Sequence, residues 1–461
     1  MLPDVALLNI FDFYLKGEYI EFIHELYETR REVWLTLAHV CRRWRNVLLE
    51  SPRRLDLRVF CRASTPVREL PDIWPNFPIV VTVSAHVLPG DVQVANTIAA
   101  LKHNNRVCAI CLWDLPNSHS EQVLAAMQQP FPELKHLVLM FTGETALVYP
   151  DSFLGGSAQR LQSLILYHIP FPGLPSLLLS ATHLVRLHLW RIPHSGYISS
   201  DVMVTTLSAL TRLESLHIDF ISPRSRPTQK SRRSQPTRVL FPVLTLFQFR
   251  GASEYLEDLV AWIDAPLLNS LSVDFFHKLI FDTPQLALFI SHTSKSKVFH
   301  EAHVGSFYLS SCITLYSTSG AGNILLYIRS RQPDWQLLSL AQVCSSSFPH
   351  VLTPVERLYI ESFQSLPPPP WQDETSQWLE LLHLFTGAKD VYISPELTPR
   401  IGSALQEAVG ERVTEVLPSL RALFLKEIPS GSVPEAFGKF VAARQLAGHP
   451  ISVSRWDDEG R

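Results

Sequence analysis

Glycine is scarce in this chain, 18 of 461 residues, against the roughly 7% usual for soluble proteins. Loops that cradle phosphates need backbone able to approach an anion without a Cβ in the way. The sequence carries no Walker loop, no dinucleotide glycine fingerprint, no Gly-x-Ser-x-Gly and no His-Glu-x-x-His. Charge is also sparse. Charged residues make up 18%, and 40 Lys plus Arg against 43 Asp plus Glu leave a net charge of −3. A chain that binds nucleic acid along its length needs a positive excess, so this balance argues against such a partner. Six cysteines, Cys41, Cys61, Cys108, Cys111, Cys312 and Cys344, are too few and too scattered for a disulfide framework. They read as reduced thiols of an intracellular chain, cytoplasmic or nuclear. Cys108-Ala-Ile-Cys111 has no second pair to complete the four ligands of a structural zinc site. No apolar run approaches the ~20 residues of a membrane helix, and Met1-Leu2-Pro3-Asp4 lacks the basic start of a secretory signal. No acidic pair stands beside a nucleophile. The sequence therefore calls for no enzyme, no catalytic residue, no metal and no cofactor.

What the chain does have is a large apolar fraction, 46%, and many prolines, 34. That combination suits short, sharply punctuated elements around a sizeable core. The first 50 residues are helical in period. Val5, Leu8, Phe11 and Leu15, widened by Leu7 and Ile10, define one helix face. Pro3 suits a first-turn position, where a missing N–H costs nothing. A second amphipathic stretch uses Ile20, Ile23 and Leu26, and a third is expected to run unbroken from Val33 to Leu49. Its apolar positions are Trp34, Leu37, Cys41, Trp44 and Leu48, with Val40 and Val47 beside them. Ser51-Pro52 ends it.

Beyond Pro52 the pattern changes to alternation, with Leu55, Leu57 and Val59 on one side of a strand. A short Leu-x-x-Leu-x-Leu unit then recurs. Its key positions are Val107/Ile110/Leu112, Leu134/Leu137/Leu139, Leu161/Leu164/Leu166, Leu184/Leu187/Leu189, Leu213/Leu216/Ile218, Leu244/Phe247/Phe249 and Leu268/Leu271/Val273. After a long gap come Val355/Leu358/Ile360, Ala388/Val391/Ile393 and Leu420/Leu423/Leu425. The last two positions of a unit lie two apart and share one strand face, while the first lies in the turn before it. One such unit cannot close a core, but stacked neighbours can. The expected fold is α/β: a helical start, then an irregular leucine-rich-repeat solenoid whose curved sheet carries helices or loops outside. Helices are expected at Asp91–Leu101, Glu121–Gln128, Val202–Leu210 and Tyr255–Ile263. Prolines such as those in Phe131-Pro132, Ala265-Pro266 and Leu417-Pro418 are expected to stop the preceding helix. Within the gap, Val298–Val304, Cys312–Tyr316 and Ile324–Ile328 read as strands and Gln285–Ser291 as helix. Residues 222–238 hold six basic residues and no acidic one. They read as a solvated loop, with a localisation or anionic docking segment as the alternative. Ser365-Leu-Pro-Pro-Pro-Pro-Trp371 reads as a stiff spacer. His168, His188 and His217, which follow strand positions, read as solvated or hydrogen-bonded side chains, with a place lining one solenoid face as the alternative.

The opening segment resembles a known motif. Leu2-Pro-Asp-Val-Ala-Leu-Leu-Asn-Ile-Phe-Asp-Phe-Tyr-Leu15 and Leu37-Ala-His-Val-Cys-Arg-Arg-Trp-Arg-Asn-Val-Leu48 are similar to the two halves of an F-box. Ser51-Pro-Arg-Arg-Leu-Asp-Leu-Arg58 resembles the junction in the large fungal F-box families with leucine-rich tails. Residues 16–33 depart from the motif as an inserted charged segment. The resemblance implies an F-box-like domain over 1–58 and a repeat domain over 59–461. It implies an adaptor whose F-box docks the Skp-type linker of a cullin-RING ubiquitin ligase, and through it a cullin, while the repeats hold a protein target. The partner-binding positions it implies are Leu2, Pro3, Leu7, Ile10, Phe11, Leu15, Val40, Cys41, Trp44 and Leu48. Tyr167, Trp190, Phe220 and Arg250, at or just after strand ends, are the candidates for the target side. The alternative is a non-catalytic scaffold whose N-terminal helices only cap the repeats.

Overall fold

The computed structural model describes residues 2–16, 33–52, 54–55, 57–62, 77–83, 91–115, 117–141, 149–150, 152–221, 238–276, 283–293, 297–307, 310–317, 322–329, 334–362, 374–410, 413–426 and 435–456. The second amphipathic stretch, most of the 16–33 insertion, 222–237 of the basic segment and the 365–371 proline run lie outside these residues. The chain divides into two compact units: Met1–Ile198 with Thr205–Leu213, and Ser199–Val204 with Glu214–Arg461.

Unit 1 opens with helices α1 (Asp4–Lys16), α2 (Val33–Val40) and α3 (Arg42–Glu50). The third helical stretch is therefore not continuous. Cys41 between α2 and α3 takes extended backbone, φ −160° and ψ 166°, and caps α3 by accepting the Trp44 N–H on its Sγ. Arg45 Nε donates to the Ala38 carbonyl at 3.0 Å, occupying one of the acceptors a helix end leaves unpaired. Strands β1 (Val59–Arg62), β2 (Ile79–Val83), β3 (Val107–Leu115), β4 (His136–Phe141), β5 (Ser163–Tyr167) and β6 (Arg186–Ile192) follow, paired in that order and parallel. Helices α4 (Asp91–Leu101), α5 (Asn117–Ala126) and α6 (Leu174–Ser180) lie between them in sequence. Helix α7 (Ser200–Leu207) spans the division between units.

Unit 2 contains β7 (Ser215–Phe220), β8 (Val239–Leu240), β9 (Leu246–Gly251), α8 (Ser253–Val260), β10 (Ile263–Asp264), β11 (Ser270–Phe276) and α9 (Pro284–Thr293). Then come β12 (Phe299–Phe307), β13 (Ser310–Ser317), β14 (Asn323–Arg329), α10 (Asp334–Ser347), α11 (Pro349–Leu352) and β15 (Arg357–Ser362). The unit ends with α12 (Glu374–Leu382), β16 (Asp390–Ile393), α13 (Thr398–Glu407), β17 (Ala422–Leu425), α14 (Glu435–Leu446) and β18 (Ser452–Arg455). Its main sheet runs β7-β9-β11-β14-β13-β12-β15-β16-β17-β18, with β8 and β10 paired separately.

The repeat arithmetic becomes a register. Ile110, Leu137, Leu164 and Leu187 are direct cross-strand partners in unit 1. Leu216, Phe247, Leu271 and Ile324 are partners in unit 2, as are Leu358, Val391 and Leu423. All are buried. Stacking one apolar side chain per strand in register gives each repeat a neighbour's surface in place of water. The first leucine of each unit closes a tight turn: Leu134 N–H donates to Phe131, Leu268 to Ala265 and Leu420 to Leu417. Pro132, Pro266 and Pro418 stand second in those turns, where their fixed φ is favoured. These prolines build the turn into the strand and do not end the helices: Asp91–Leu101 has the expected bounds, while Asn117–Ala126, Ser200–Leu207 and Ser253–Val260 begin and end earlier than the periodicity suggested.

The long gap has a topological cause. All three expected strands form, but β13 runs antiparallel to both β12 and β14, and β14, the last of the three, sits beside β11. The β12–β15 pairing is parallel again. Gln285 and Leu286 N–H, at the start of α9, donate to the Glu257 carboxylate of α8 at 2.9 and 2.8 Å, so one repeat's acid caps the next repeat's helix.

Candidate docking surface

Helix α1 is apolar on both sides, which a helix with a single core contact is not. Leu7, Leu8 and Phe11 face inward with half-buried Leu15, joining Trp34, Leu37, Ala38, Val47 and Leu48. Leu55, Leu57, Val59 and Phe77 complete the same cluster, so the helices share their core with the start of the sheet. Phe11 meets Trp44 edge-on at 4.9 Å between ring centroids, and Trp34 meets Phe77 at 5.1 Å.

The opposite side of α1 presents Val5 (62% exposed), Ile10 (48%), Phe13 (83%) and Tyr14 (47%). Leu2 precedes them, and Val40 (57%) and Cys41 at the α2–α3 break are exposed as well. Arg43 joins the two segments: its Nε and Nη2 reach Asp4 Oδ1 at 3.2 and 2.6 Å, and Nη2 also donates to the Leu2 carbonyl. Arg54 Nη2 donates to Asn9 Oδ1 at 3.1 Å. The Leu2-Pro3 start is thereby held beside the break that exposes Val40 and Cys41.

The ten residues implied for partner binding thus separate. Leu2, Pro3, Ile10, Val40 and Cys41 are exposed; Leu15 and Trp44 are half-buried. Leu7, Phe11 and Leu48 are internal, because their side of the helices is closed by Leu55, Leu57 and Phe77. Val5 and Ile10, expected on the core stripe, lie on the outer side. Phe13 and Tyr14 were missed; Phe13 stands on the helix opposite Phe11, which is the signal that marks it, whereas Tyr14 shares the flank of Leu7 and its exposure leaves no mark in the periodicity.

On the sheet face opposite the leucine ladder, Tyr167 and Trp190 are direct cross-strand partners. The row continues through Met140 to Trp113, neither of which the sequence reading named. Trp113, Met140 and Trp190 pack half-buried over Cys111, Val138 and Ile165, and Tyr167 is half-buried beside them in the row. Arg191 Nη1 donates to the Tyr167 hydroxyl at 3.0 Å. His188 sits in the neighbouring row, beside Ile165; burial, with Arg186 nearby, pushes its pKa down to about 4. Phe220 is not a surface residue: it is buried in unit 2 against Tyr255, at 4.9 Å, and Phe249, because both sides of β7 are covered at its end. Arg250 is half-buried, 3.7 Å from Asp219 and 3.6 Å from Asp274, with Phe276 under its guanidinium.

Cys111 is buried, which pushes its thiol up to about 12. Among the described residues no three His, Cys, Asp or Glu side chains are placed to hold a metal ion, and no helix is long and apolar enough to cross a membrane.

The in-register ladders define an α/β protein built of leucine-rich, parallel strand-and-helix repeats, with a helical segment packed at its start. No family model and no curated protein matches the chain. Among solved structures it is similar to the leucine-rich repeat-containing protein LegL7 from Legionella pneumophila, at 15% sequence identity and a TM-score of 0.28, over 85% of this chain and 98% of that one.

Proposed function

We propose that this chain is a target-recruiting adaptor of a cullin-RING ubiquitin ligase. In this reading the exposed side of α1 and the α2–α3 break dock a Skp-type linker, and the repeats hold a protein target. The observation that carries it is the apolar outer side of α1, Val5, Ile10, Phe13 and Tyr14, continued by Leu2 and Val40. These residues coincide with the segments that resemble an F-box. Covering each large apolar side chain contributes about 1.5–3 kcal/mol, so a few of them support a stable complex.

A capping role has its own observation. Leu55, Leu57, Val59 and Phe77 share the helices' core, so removing residues 1–50 bares that end of the sheet. Capping uses the inner side and docking the outer, and the two coexist.

The test mixes the full chain with a purified Skp-type linker and follows complex formation by size-exclusion chromatography. The wild type is expected to co-elute with the linker. Ile10→Glu combined with Val40→Glu is expected to abolish co-elution while melting like the wild type. A wild-type chain that never co-elutes leaves capping as the helices' whole role.

A further inference from the structure

A second surface of unit 1 lies at β5 and β6, on the sheet face opposite the leucine ladder, where Tyr167 and Trp190 pair across the strands. Alternation puts Arg186, His188 and Trp190 on this face and buries Leu187 and Leu189 on the other. By the same rule Arg191, one residue past Trp190, belongs on the ladder side. It is turned away from there. Its Nη1 donates to the Tyr167 hydroxyl at 3.0 Å, and its guanidinium carbon stands 5.6 Å from the centre of the Tyr167 ring.

The backbone makes the difference. Arg191 has φ +50°, and His168, the residue after Tyr167, has φ +60°. Both lie in the left-handed region that residues with a Cβ avoid. Two neighbouring strands thus carry the same departure, each one residue beyond a member of the Tyr167–Trp190 pair, and the His168 N–H donates to the Trp190 carbonyl at 2.8 Å. Residues held in such sparsely populated conformations collect at binding sites, where the surrounding structure maintains them. Here the conformation turns a cation onto an aromatic face. Arg191 is exposed, and Arg186, at the other end of the same strand, is half-buried. Neither guanidinium meets a carboxylate among the described residues. Each stands beside an imidazole: burial and then the Arg191 charge lower the pKa of His168, and burial and then the Arg186 charge bring His188 to about 4. Both imidazoles are mostly neutral at pH 7, so the charge of this site comes from the two guanidiniums.

Spacing and charge select the occupant. Arg186 and Arg191 stand five residues apart on one strand, ~17 Å at ~3.3 Å per residue. A single small anion does not bridge that distance, whereas an extended polypeptide with two carboxylates about four to six residues apart does. Forked guanidinium donors match carboxylates. A nucleic-acid strand carries a phosphate at every nucleotide and asks for a run of cations; this site offers two. We propose that this face of unit 1 binds an extended acidic segment of a protein target, one carboxylate on Arg191, a second on Arg186, and an apolar side chain between them against the Tyr167 ring. The inference names the chemistry of the target in the reading above and rests on the target-holding half of that reading. It shares no residue with the linker-docking side.

The test selects short random peptides displayed on phage against the full chain, then measures the enriched peptides, and separately an oligothymidylate, by fluorescence anisotropy. Enriched peptides are expected to carry two Asp or Glu about four to six residues apart with an aromatic or aliphatic residue between, and to bind more weakly as salt rises. Arg191→Gly takes the same φ without strain. It is expected to melt no lower than the wild type and to bind those peptides at least about tenfold more weakly. Arg186→Gln is expected to weaken them by a similar factor and serves if Arg191→Gly fails to fold. Arg212→Gln, on an exposed turn of the same unit, is expected to leave binding unchanged. Enriched peptides without paired acids, or acidic peptides held equally well by both variants, overturn the acidic assignment and leave the target-holding reading in place. Enrichment of no peptide removes the inference and, with it, this face as the place where the repeats hold a target. Saturable oligothymidylate binding that Arg191→Gly abolishes assigns the face to nucleic acid and overturns the proposal.

Discussion

Phe11 and Phe13 lie two residues apart on one helix, and the structure gives them opposite fates. Phe11 is 0% exposed between Trp44 and the Leu7–Leu48 cluster; Phe13 is 83% exposed. Phe11→Ala leaves a cavity in a packed core and should cost about 3–5 kcal/mol. At ~2–4 °C of melting temperature per kcal/mol for a unit of this size, unit 1 should melt on the order of 10 °C lower. Phe13→Ala removes a side chain that already faces water, and its stability cost should stay within about 0.5 kcal/mol. Its cost in linker binding should be large. If the ring is covered in the complex, about 1.5–3 kcal/mol is lost, a drop of about 10- to 150-fold in affinity. Calorimetric melting and surface plasmon resonance against the purified linker read the two quantities separately. The reasoning is refuted if Phe13→Ala lowers the melting temperature as far as Phe11→Ala, because the side would then be internal. It is refuted equally if Phe13→Ala melts like the wild type and binds the linker with unchanged affinity.

Three further outcomes follow from the same geometry. His188, held neutral by burial down to about pH 4, binds its proton in the unfolded chain near pH 6.5; stability is therefore full above pH 6.5 and falls as pH drops from there towards 4. Urea midpoints at pH 7 and pH 4.5 should show a smaller acid loss for His188→Gln than for the wild type, and an identical loss would contradict the assignment. Cys41 is exposed while the other five cysteines are buried, so a maleimide should label one thiol per folded chain; prior addition of linker should protect it, and labelling that ignores the linker would count against docking at the α2–α3 break. In unit 2 the rings of His303, Tyr359, Tyr392 and Phe424 stack at 4.4, 4.4 and 4.5 Å. Tyr392→Ala removes two of those contacts and should destabilise by about 1–3 kcal/mol in chemical denaturation, whereas Tyr392→Phe should retain most of the stability.

The ladder was legible because one spacing repeats. Ile110, Leu137, Leu164 and Leu187 announce their pairing by standing at the same place in the same short pattern. The order of β12, β13 and β14 was not legible, since alternation marks a strand without saying which neighbour it takes or in which direction. The break at Cys41 was hidden by a periodicity that runs on undisturbed from Leu37 to Trp44; a cysteine cap and an arginine on the Ala38 carbonyl make the break, and neither leaves a regular trace. Phe220 misled for a related reason. The end of β7 is covered on both sides, so the usual inference from alternating faces has nothing to work on. For α1 the difficulty was surplus: Val5, Leu7, Leu8, Ile10, Phe11 and Phe13 are apolar in nearly every direction, and the pattern alone does not say which side the sheet claims.

The displaced position of β14 bears on how the protein is made. As the chain leaves the ribosome, Ser270–Phe276 can join Leu246–Gly251 at once, but its other edge is satisfied only by Asn323–Arg329. Until residue 329 has emerged, that nascent edge exposes unpaired amides, a template for pairing with another chain. Synthesis of this protein therefore includes an interval, about 50 residues of chain long, in which one strand edge is open to a neighbouring chain.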